Sequence, residues 1–569
     1  MSRFGEILAA PSGHNDPHLE AVTKNTAAGE EKQAMKRKSF LALRIGAVGA
    51  LATLGVAVDA TPSAAASLVV QTEDGAVQGN VALGVENFLD IPYAAAPVGE
   101  LRWSSPQPPA HWSDVRPAKE YGSYCPQLKT LDSATLAVNE DCLDVNIQRP
   151  IGTREDAKLP VYVYIHGGGY VTGSGNKDGQ DRTVRTNPVV GVTLNYRLGA
   201  LGFLALPSLT GGGDFGFEDQ QAALGWIKRN IAAFGGDPNA ITIGGESAGG
   251  WSVCAHLVAP GSRGLFSKAI IQSGACDSKP VAQAEAEGTD FAHKLGCTDA
   301  ASLVSCLREK PVADVLNAQA PYYLLTDGTP SLPTHLWTAV NGGDTARVPI
   351  IIGSTRDELR SFFQSSVGWT EAQYDDFVRK NFGPQADAVL KQYPRPADAS
   401  DPTAVAYQIA AIGTDNGNLG ADAIEQGIGG CATTALAAIL AKNGPVYVYE
   451  FSPRSGPGWY TIAGYQWGAG HATDLPYLYP LHDGGVAASG FTPDESRIAD
   501  AMARHWGAFV IQGEPKAAGL PDWPAYASSQ SVLNFGEGGK VELMPQTGFQ
   551  AEHKCGFWDQ FANAPYPMK

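Results

Sequence analysis

The sequence predicts an α/β protein built on one large, mostly parallel central sheet covered by helices, with helical and loop insertions around a pocket. Three observations predict it. Apolar runs recur at Val161 to Ile165, Val189 to Leu194, Ala240 to Ile243, Ala269 to Ile271, Val348 to Ile352 and Val446 to Tyr449. They are rich in β-branched and aromatic residues and do not alternate with polar ones, which suits strands covered on both faces, as in parallel sheets. Ala223, Trp226, Ile227, Ile231 and Phe234 then fall at helical spacing before the stop Gly235-Gly236-Asp237-Pro238. Strand, helix and strand in that order make a crossover unit. Finally, the 569 residues are 44% hydrophobic and 17% charged, enough apolar material for a large core and too much for wholesale disorder.

Taken in order, residues 1–66 read as an export signal with an N-terminal extension. Lys36-Arg37-Lys38 precedes a stretch from Ile45 to Val58 made only of Ile, Gly, Ala, Val, Leu and Thr, and Ala64-Ala65-Ala66 offers small residues for cleavage before Ser67. The apolar core is short for a membrane-spanning helix, although an anchored helix is the other reading; Met35 is an alternative start, and the export route stays open. Residues 67–569 read as a single domain. Its start, Leu68 to Val70 and Ala76 to Gln78 around Asp74-Gly75, has the pattern of a hairpin. The stretches near 278–347 and 361–441 lack strand-like runs and read as helical, loop-rich insertions at a pocket.

The composition also excludes partners. The net charge is −17, and no basic patch lies outside the N-terminal segment, so no nucleic acid is expected. No long uncharged apolar run follows that segment, so the mature form is expected to have no stable membrane span. There is no C-x-x-C pair and no H-E-x-x-H, so neither a metal nor any other cofactor is expected. All eight cysteines lie beyond residue 66, and an even count in an exported chain suggests disulfides.

Two motifs carry chemistry. Gly245-Glu246-Ser247-Ala248-Gly249 directly follows the run Ala240 to Ile243, and Trp251 to Leu257 continues as a helix. A serine on so tight a strand-to-helix turn needs neighbours without bulky side chains, and the turn exposes its hydroxyl as a nucleophile. Upstream, His166-Gly167-Gly168-Gly169-Tyr170 follows the strand ending at Ile165. Glycines there let backbone N–H groups approach an oxyanion.

With these motifs in place the chain resembles the type-B carboxylesterase/lipase family of the α/β-hydrolase fold, which includes cholinesterases and bacterial p-nitrobenzyl esterases. The resemblance runs from Val69 to Phe561 through Ile91-Pro92-Tyr93-Ala94, Glu140 to Asn146, Asn195 to Gly199 and Asn230 to Gly250. It implies a serine hydrolase that cleaves carboxylic esters of small molecules through an acyl-enzyme. Ser247 is the implied nucleophile, Glu358 the acid, with Asp357 as the alternative, and His471 the base. Leu359 stands where the family usually has glycine. Gly168, Gly169 and Ala248 are the implied oxyanion donors, and Ser273 the implied support of the acid. The family pattern pairs Cys125 with Cys142, Cys297 with Cys306, and Cys431 with Cys555; Cys254 and Cys276 are either free or joined to each other. The loop between Cys125 and Cys142 has no aromatic residue, so choline esters are not expected. Two other readings remain: a lipase, with Leu128, Leu131, Leu136 and Val138 as apolar lid residues, or a non-catalytic binding protein on the same fold. Oligomeric state is left open.

Overall fold

A computed structural model describes residues 68–128, 137–398, 400–417, 427–456 and 464–561. The expected export signal, and Leu131 and Leu136 of the expected lid, lie outside the described residues. The described chain starts with a hairpin of β1 (Val69–Gln71) and β2 (Ala76–Gln78), with Val70 opposite Val77. β5 (Arg116–Pro117) adds to β2 in parallel.

Among the described residues the central sheet has eleven strands. They are β3 (Asn80–Ala82), β4 (Val85–Pro92), β6 (Asp144–Arg149), β7 (Leu159–Ile165), β8 (Val190–Leu194), β9 (Gly236–Glu246), β10 (Lys268–Gln272), β13 (Ile350–Thr355), β14 (Val446–Phe451), β15 (Ser531–Phe535) and β16 (Val541–Pro545). Their order across the sheet is β16-β15-β14-β13-β10-β9-β7-β8-β6-β4-β3. The block from β15 to β8 is parallel throughout. Antiparallel pairs occur only at the two ends, where β16 flanks β15 and β6, β4 and β3 follow β8. β11 (Lys279–Pro280) and β12 (Thr326–Asp327) form a separate short parallel pair inside the first predicted insertion.

Each apolar run named from the sequence falls on a parallel strand, although Val189 precedes β8 and Val348 and Pro349 precede β13, and period-two geometry explains why the runs do not alternate. Val161, Val163, Ile165, Ile241, Ile243, Ile350 and Ile352 join one buried cluster. Tyr162, Tyr164, Ile270, Ile351, Tyr447 and Tyr449 join another. Successive side chains point to opposite faces, so a strand covered on both sides must be apolar at every position.

Helix α1 (Phe215–Asn230) supplies the predicted crossover, extended by a 3₁₀ turn at Ile231–Phe234. Its fully buried Trp226 donates its indole N–H to Asp74 Oδ2 at 2.9 Å, fastening the hairpin turn to the helix. The other helices used below are α2 (Ala248–Val258), α3 (Ala404–Asn416), α4 (Gly430–Leu440) and α5 (Pro493–Gln512), which lie between strands, and α6 (Gln546–Glu552), which follows β16. α5 starts at a reciprocal cap: the Thr492 hydroxyl accepts from the Glu495 N–H while the Glu495 carboxylate accepts from the Thr492 N–H. The expected helical insertions consist of short helices between 281 and 341 and between 371 and 440.

Four disulfides join Cys125 to Cys142, Cys254 to Cys276, Cys297 to Cys306 and Cys431 to Cys555. The two cysteines that sequence left open are therefore joined to each other, tying α2 to the chain just after β10. Among the described residues no helix is long and apolar enough to cross a membrane.

Candidate active site

The parallel strands β7, β9, β13 and β14 end on one side of the sheet, and open α/β sheets bind ligands outside these carboxyl ends. Every candidate residue lies on a connection leaving that side. β9 passes into α2 through the turn at Ser247, whose backbone is held at φ 57° and ψ −125°. A non-glycine residue adopts this conformation only where its surroundings over-determine it. Here the Ser247 N–H is bonded to the Gln272 carbonyl at 3.0 Å, and the Ser247 carbonyl accepts from Trp251 at the start of α2. Gly249 makes the turn possible, because a Cβ on it would lie 2.0 Å from the Ile165 carbonyl oxygen at the end of β7. Within residues 241–250 Ser247 is the one side chain that is not buried.

The glycine loop after β7 lies against this turn. A Cβ on Gly167 would be 3.0 Å from the Ser247 Cβ, so the loop and the serine share one surface. Gly168 has φ 107° and Gly169 φ 61°, values open to glycine at little cost. Gly167, Gly168 and Gly169 are partly exposed beside Ser247. Ala248 opens α2, and the first N–H groups of a helix have no acceptor within it. Gly168 and Gly169 thus follow directly on the glycine that touches Ser247, and Ala248 is the residue after the serine.

His471 and Glu358 come together from distant segments. Glu358 follows β13 in a 3₁₀ turn and is fully buried. Its Oε2 lies 2.6 Å from His471 Nδ1, and its backbone carbonyl accepts from the His471 N–H at 3.0 Å. Its Oε1 accepts from the Thr355 N–H at 2.8 Å and, in a short contact, from the Ser273 hydroxyl. Asp357, the alternative acid, faces elsewhere: Arg454 holds it at 2.8 and 3.0 Å, and it accepts from the Ala469 N–H. Leu359 replaces the expected glycine without loss of packing, being buried with its N–H bonded to Thr414 Oγ1 at 3.0 Å.

Sequence reading missed two acidic residues. Glu246, the variable residue of the serine motif, is buried and places Oε1 3.1 Å from His471 Nε2. Asp474, three residues after His471, is buried and accepts from Gln272 Nε2 at 3.1 Å. Burial lifts the Glu246 carboxyl to about 8, against the pull of His471, and lifts Asp474 to about 6, with the Glu358 charge adding. Burial alone would lower the proton affinity of His471, but the Glu246 and Glu358 carboxylates outweigh it and hold the imidazole up at about 9. The one available signal for Glu246 was its place between a glycine and the serine; nothing in the spacing pointed it at a histidine 225 positions away. Phe362 lies beside the imidazole with ring centroids 5.1 Å apart. Of the expected lid residues within the described chain, Leu128 and Val138 are both exposed.

The arrangement is a partly exposed serine on a strained turn, a glycine loop beside it, and a buried imidazole backed by a carboxylate. Comparisons with known proteins agree with it along most of the chain. The sequence pattern of the carboxylesterase family matches residues 66–558. The chain is 31% identical over 531 residues to the human (Homo sapiens) cocaine esterase, covering 87% of this chain and 91% of that protein. It is 32% identical over 484 residues to the para-nitrobenzyl esterase of Bacillus subtilis (strain 168), covering 80% and 92%. A solved PNB esterase superposes with a TM-score of 0.71 at 30% identity, over 85% of this chain and 99% of that one. A strand-to-helix serine turn on a large mixed sheet, matched over this length, identifies the chain as a member of the carboxylesterase family, a carboxylic ester hydrolase of the α/β-hydrolase fold.

Proposed function

We propose that the chain is an exported serine esterase in which Ser247, His471 and Glu358 act as nucleophile, general base and orienting acid on small-molecule carboxylic esters. The observation that carries the reading is the His471 imidazole: Nδ1 meets Glu358, and Nε2 lies 3.1 Å from Glu246, the residue just before Ser247. A serine hydroxyl is a weak nucleophile at its free pKa, and a base poised at its proton raises its reactivity. Glu358 fixes the imidazole tautomer so that Nδ1 carries the hydrogen, and it stabilises the imidazolium formed as the hydroxyl attacks the ester carbonyl. Ser273 and Thr355 in turn hold the carboxylate.

As the carbonyl becomes tetrahedral, the N–H groups of Gly168, Gly169 and Ala248 receive its negative oxygen. Loss of one such donor in a comparable site costs about 2.7–4 kcal/mol of barrier. His471 then returns its proton to the departing alcohol, and water, activated by the same imidazole, releases the acid. The four disulfides suit an oxidising compartment, and residues 1–66 would be the removed address ahead of a single hydrolase domain from residue 67. The curated relatives named for cocaine and p-nitrobenzyl esters suggest a hydrophobic, aryl-tolerant substrate range.

The test is release of p-nitrophenol from p-nitrophenyl acetate, butyrate and palmitate by the purified chain and its Ser247→Ala variant. Turnover of acetate and butyrate that falls by about 10³-fold or more in the variant is expected. Undiminished hydrolysis by Ser247→Ala would overturn the assignment of the nucleophile. Preference for palmitate over butyrate would replace the esterase with a lipase, and a folded chain that turns over none of the three would remove the broad substrate range.

A further inference from the structure

A second buried ionic cluster lies behind Glu358, outside the set of residues that would meet the ester. His553, fully enclosed just past α6, places Nδ1 2.9 Å from Asp415 Oδ1 and Nε2 2.6 Å from Glu450 Oε1. With a carboxylate at each nitrogen, both nitrogens act as donors and neither has a lone pair to offer, so the ring is a fixed cation. Burial alone would disfavour that charge, but the hydrogen bonds to Asp415 and Glu450 prevail and hold the imidazole at about 10. Asp415 also accepts from Lys554 Nζ at 2.9 Å and from the Tyr393 hydroxyl at 2.8 Å. Glu450 Oε2 accepts from Asn534 at 3.1 Å and Ser452 at 3.2 Å.

Four consecutive residues of the C-terminal segment hold the wall around Glu358 at several points. Glu552 pairs with Arg356, two residues before Glu358. His553 joins Asp415 at the end of α3 to Glu450 on β14, which sits opposite Ser354 of β13 in the sheet. Lys554 repeats the hold on Asp415, and Cys555 is bonded to Cys431 at the start of α4. Those attachments surround the acid closely. Thr414, next to Asp415, receives the N–H of Leu359, next to Glu358. A Cβ on Gly429, two residues before Cys431, would lie 2.9 Å from Glu358 Cγ.

We propose that the segment Glu552–Cys555, centred on His553, is a positioning device for Glu358, holding the ends of β13, β14, α3 and α4 in the arrangement that aims the carboxylate at His471. This rests on the reading of Glu358 as the acid of the esterase site. Without the imidazolium, Asp415 and Glu450 become under-compensated buried charges next to the acid loop, and the wall shifts to relieve them. Small displacements of an orienting group reduce turnover without weakening substrate binding, since His471 and Ser247 keep their places in the pocket.

The experiment measures kcat and KM for p-nitrophenyl butyrate with His553→Gln and Glu552→Gln, each made in the wild-type chain and in a Glu358→Gln chain, well below the unfolding temperature of every variant. In the wild-type background His553→Gln is expected to lower kcat by roughly 10–100-fold, with KM changed by no more than about twofold. In the Glu358→Gln background the same substitution is expected to change kcat by less than about twofold, because the group it positions has already been neutralised. Equal losses in both backgrounds, or a change confined to KM, would overturn the proposal. Glu552 and Arg356 are partly exposed, so Glu552→Gln folds where His553→Gln does not, and its smaller loss of kcat decides the matter by the same comparison. Ser247→Ala assayed in parallel separates the two readings. Retained turnover there removes the serine esterase assignment, whereas abolished turnover with additive His553 effects removes only the positioning role.

Discussion

At the scale of single residues, the feature that sets this site apart from a bare Ser-His-acid arrangement is the second carboxylate at His471. The imidazole is enclosed between Glu358 at Nδ1 and Glu246 at Nε2. In the proposed mechanism the Nδ1 contact helps catalysis in either protonation state, because it orients the ring. The contact at Nε2 does not, because that nitrogen must be without its proton to accept one from Ser247. A carboxylate near it favours the imidazolium, raising the pKa of the base above the ordinary histidine value. Below that pKa the base is blocked, so kcat/KM is expected to rise with pH through a limb governed by this group. Glu246→Gln removes the negative charge that this carboxyl carries above about pH 8, lowers the proton affinity of His471 there, and increases its neutral fraction. The acid limb of the kcat/KM profile is therefore expected to move to lower pH, by about one unit for each 1.4 kcal/mol of lost attraction. A limb that stays in place or moves to higher pH would show that Glu246 does not govern the protonation of the base.

Among the elements, the β9 to α2 connection depends most on close backbone approach. Gly249 packs its Cα onto the β7 terminus, where a methyl group would meet the carbonyl oxygens of both Ile165 and His166. Backbone oxygens cannot rotate away as a side chain can, so Gly249→Ala must separate β7 from α2. Overpacking of this kind costs about 1–3 kcal/mol, and here it also moves the glycine loop away from Ser247. The expected result is a lower unfolding midpoint in urea and a kcat loss larger than the stability loss alone would produce at 25 °C; wild-type turnover in the variant would refute the packing argument. The same contrast between backbone and side chain explains which elements were legible in the sequence. β7, β8, β10 and β14 are buried on both faces and read as continuous apolar runs. β6 did not, because Asp144, Asn146, Gln148 and Arg149 are polar yet buried. They are satisfied by partners far off in sequence, such as Asn195, Thr193 and Glu86, and no local pattern reports a distant partner. β16 was hidden for the opposite reason: at the sheet edge its Glu542 and Leu543 stay exposed. Of the site, Ser247 and the glycine loop were legible because they occupy short local motifs. The contacts of Glu246, and the pairing of Cys254 with Cys276, arise only when strands separated along the chain lie side by side.

For the whole molecule, the disulfides differ in what they constrain, and the difference is measurable. Cys297 and Cys306 are nine residues apart, whereas Cys431 and Cys555 are separated by 124. In the chain-entropy description, closing the longer loop stabilises the fold by about 5 kcal/mol and closing the shorter one by about 2.5 kcal/mol. The long link also joins α4 to the C-terminal segment behind Glu358, whereas Cys297 and Cys306 lie in the insertion between β10 and β13, away from the acid loop. Stability and activity should therefore respond differently to the two losses. Cys297→Ser with Cys306→Ser is expected to lower the urea midpoint modestly and leave kcat in native buffer unchanged. Cys431→Ser with Cys555→Ser is expected to lower the midpoint by about twice as much and to lower kcat as well, because the freed segment no longer holds the wall around Glu358. Urea unfolding and p-nitrophenyl butyrate kinetics on the two paired variants check both statements. Equal midpoints would rule out loop length as the source of the stabilisation. An unchanged kcat after loss of the long link would show that the ionic contacts of Glu552, His553 and Lys554 hold the acid loop without it.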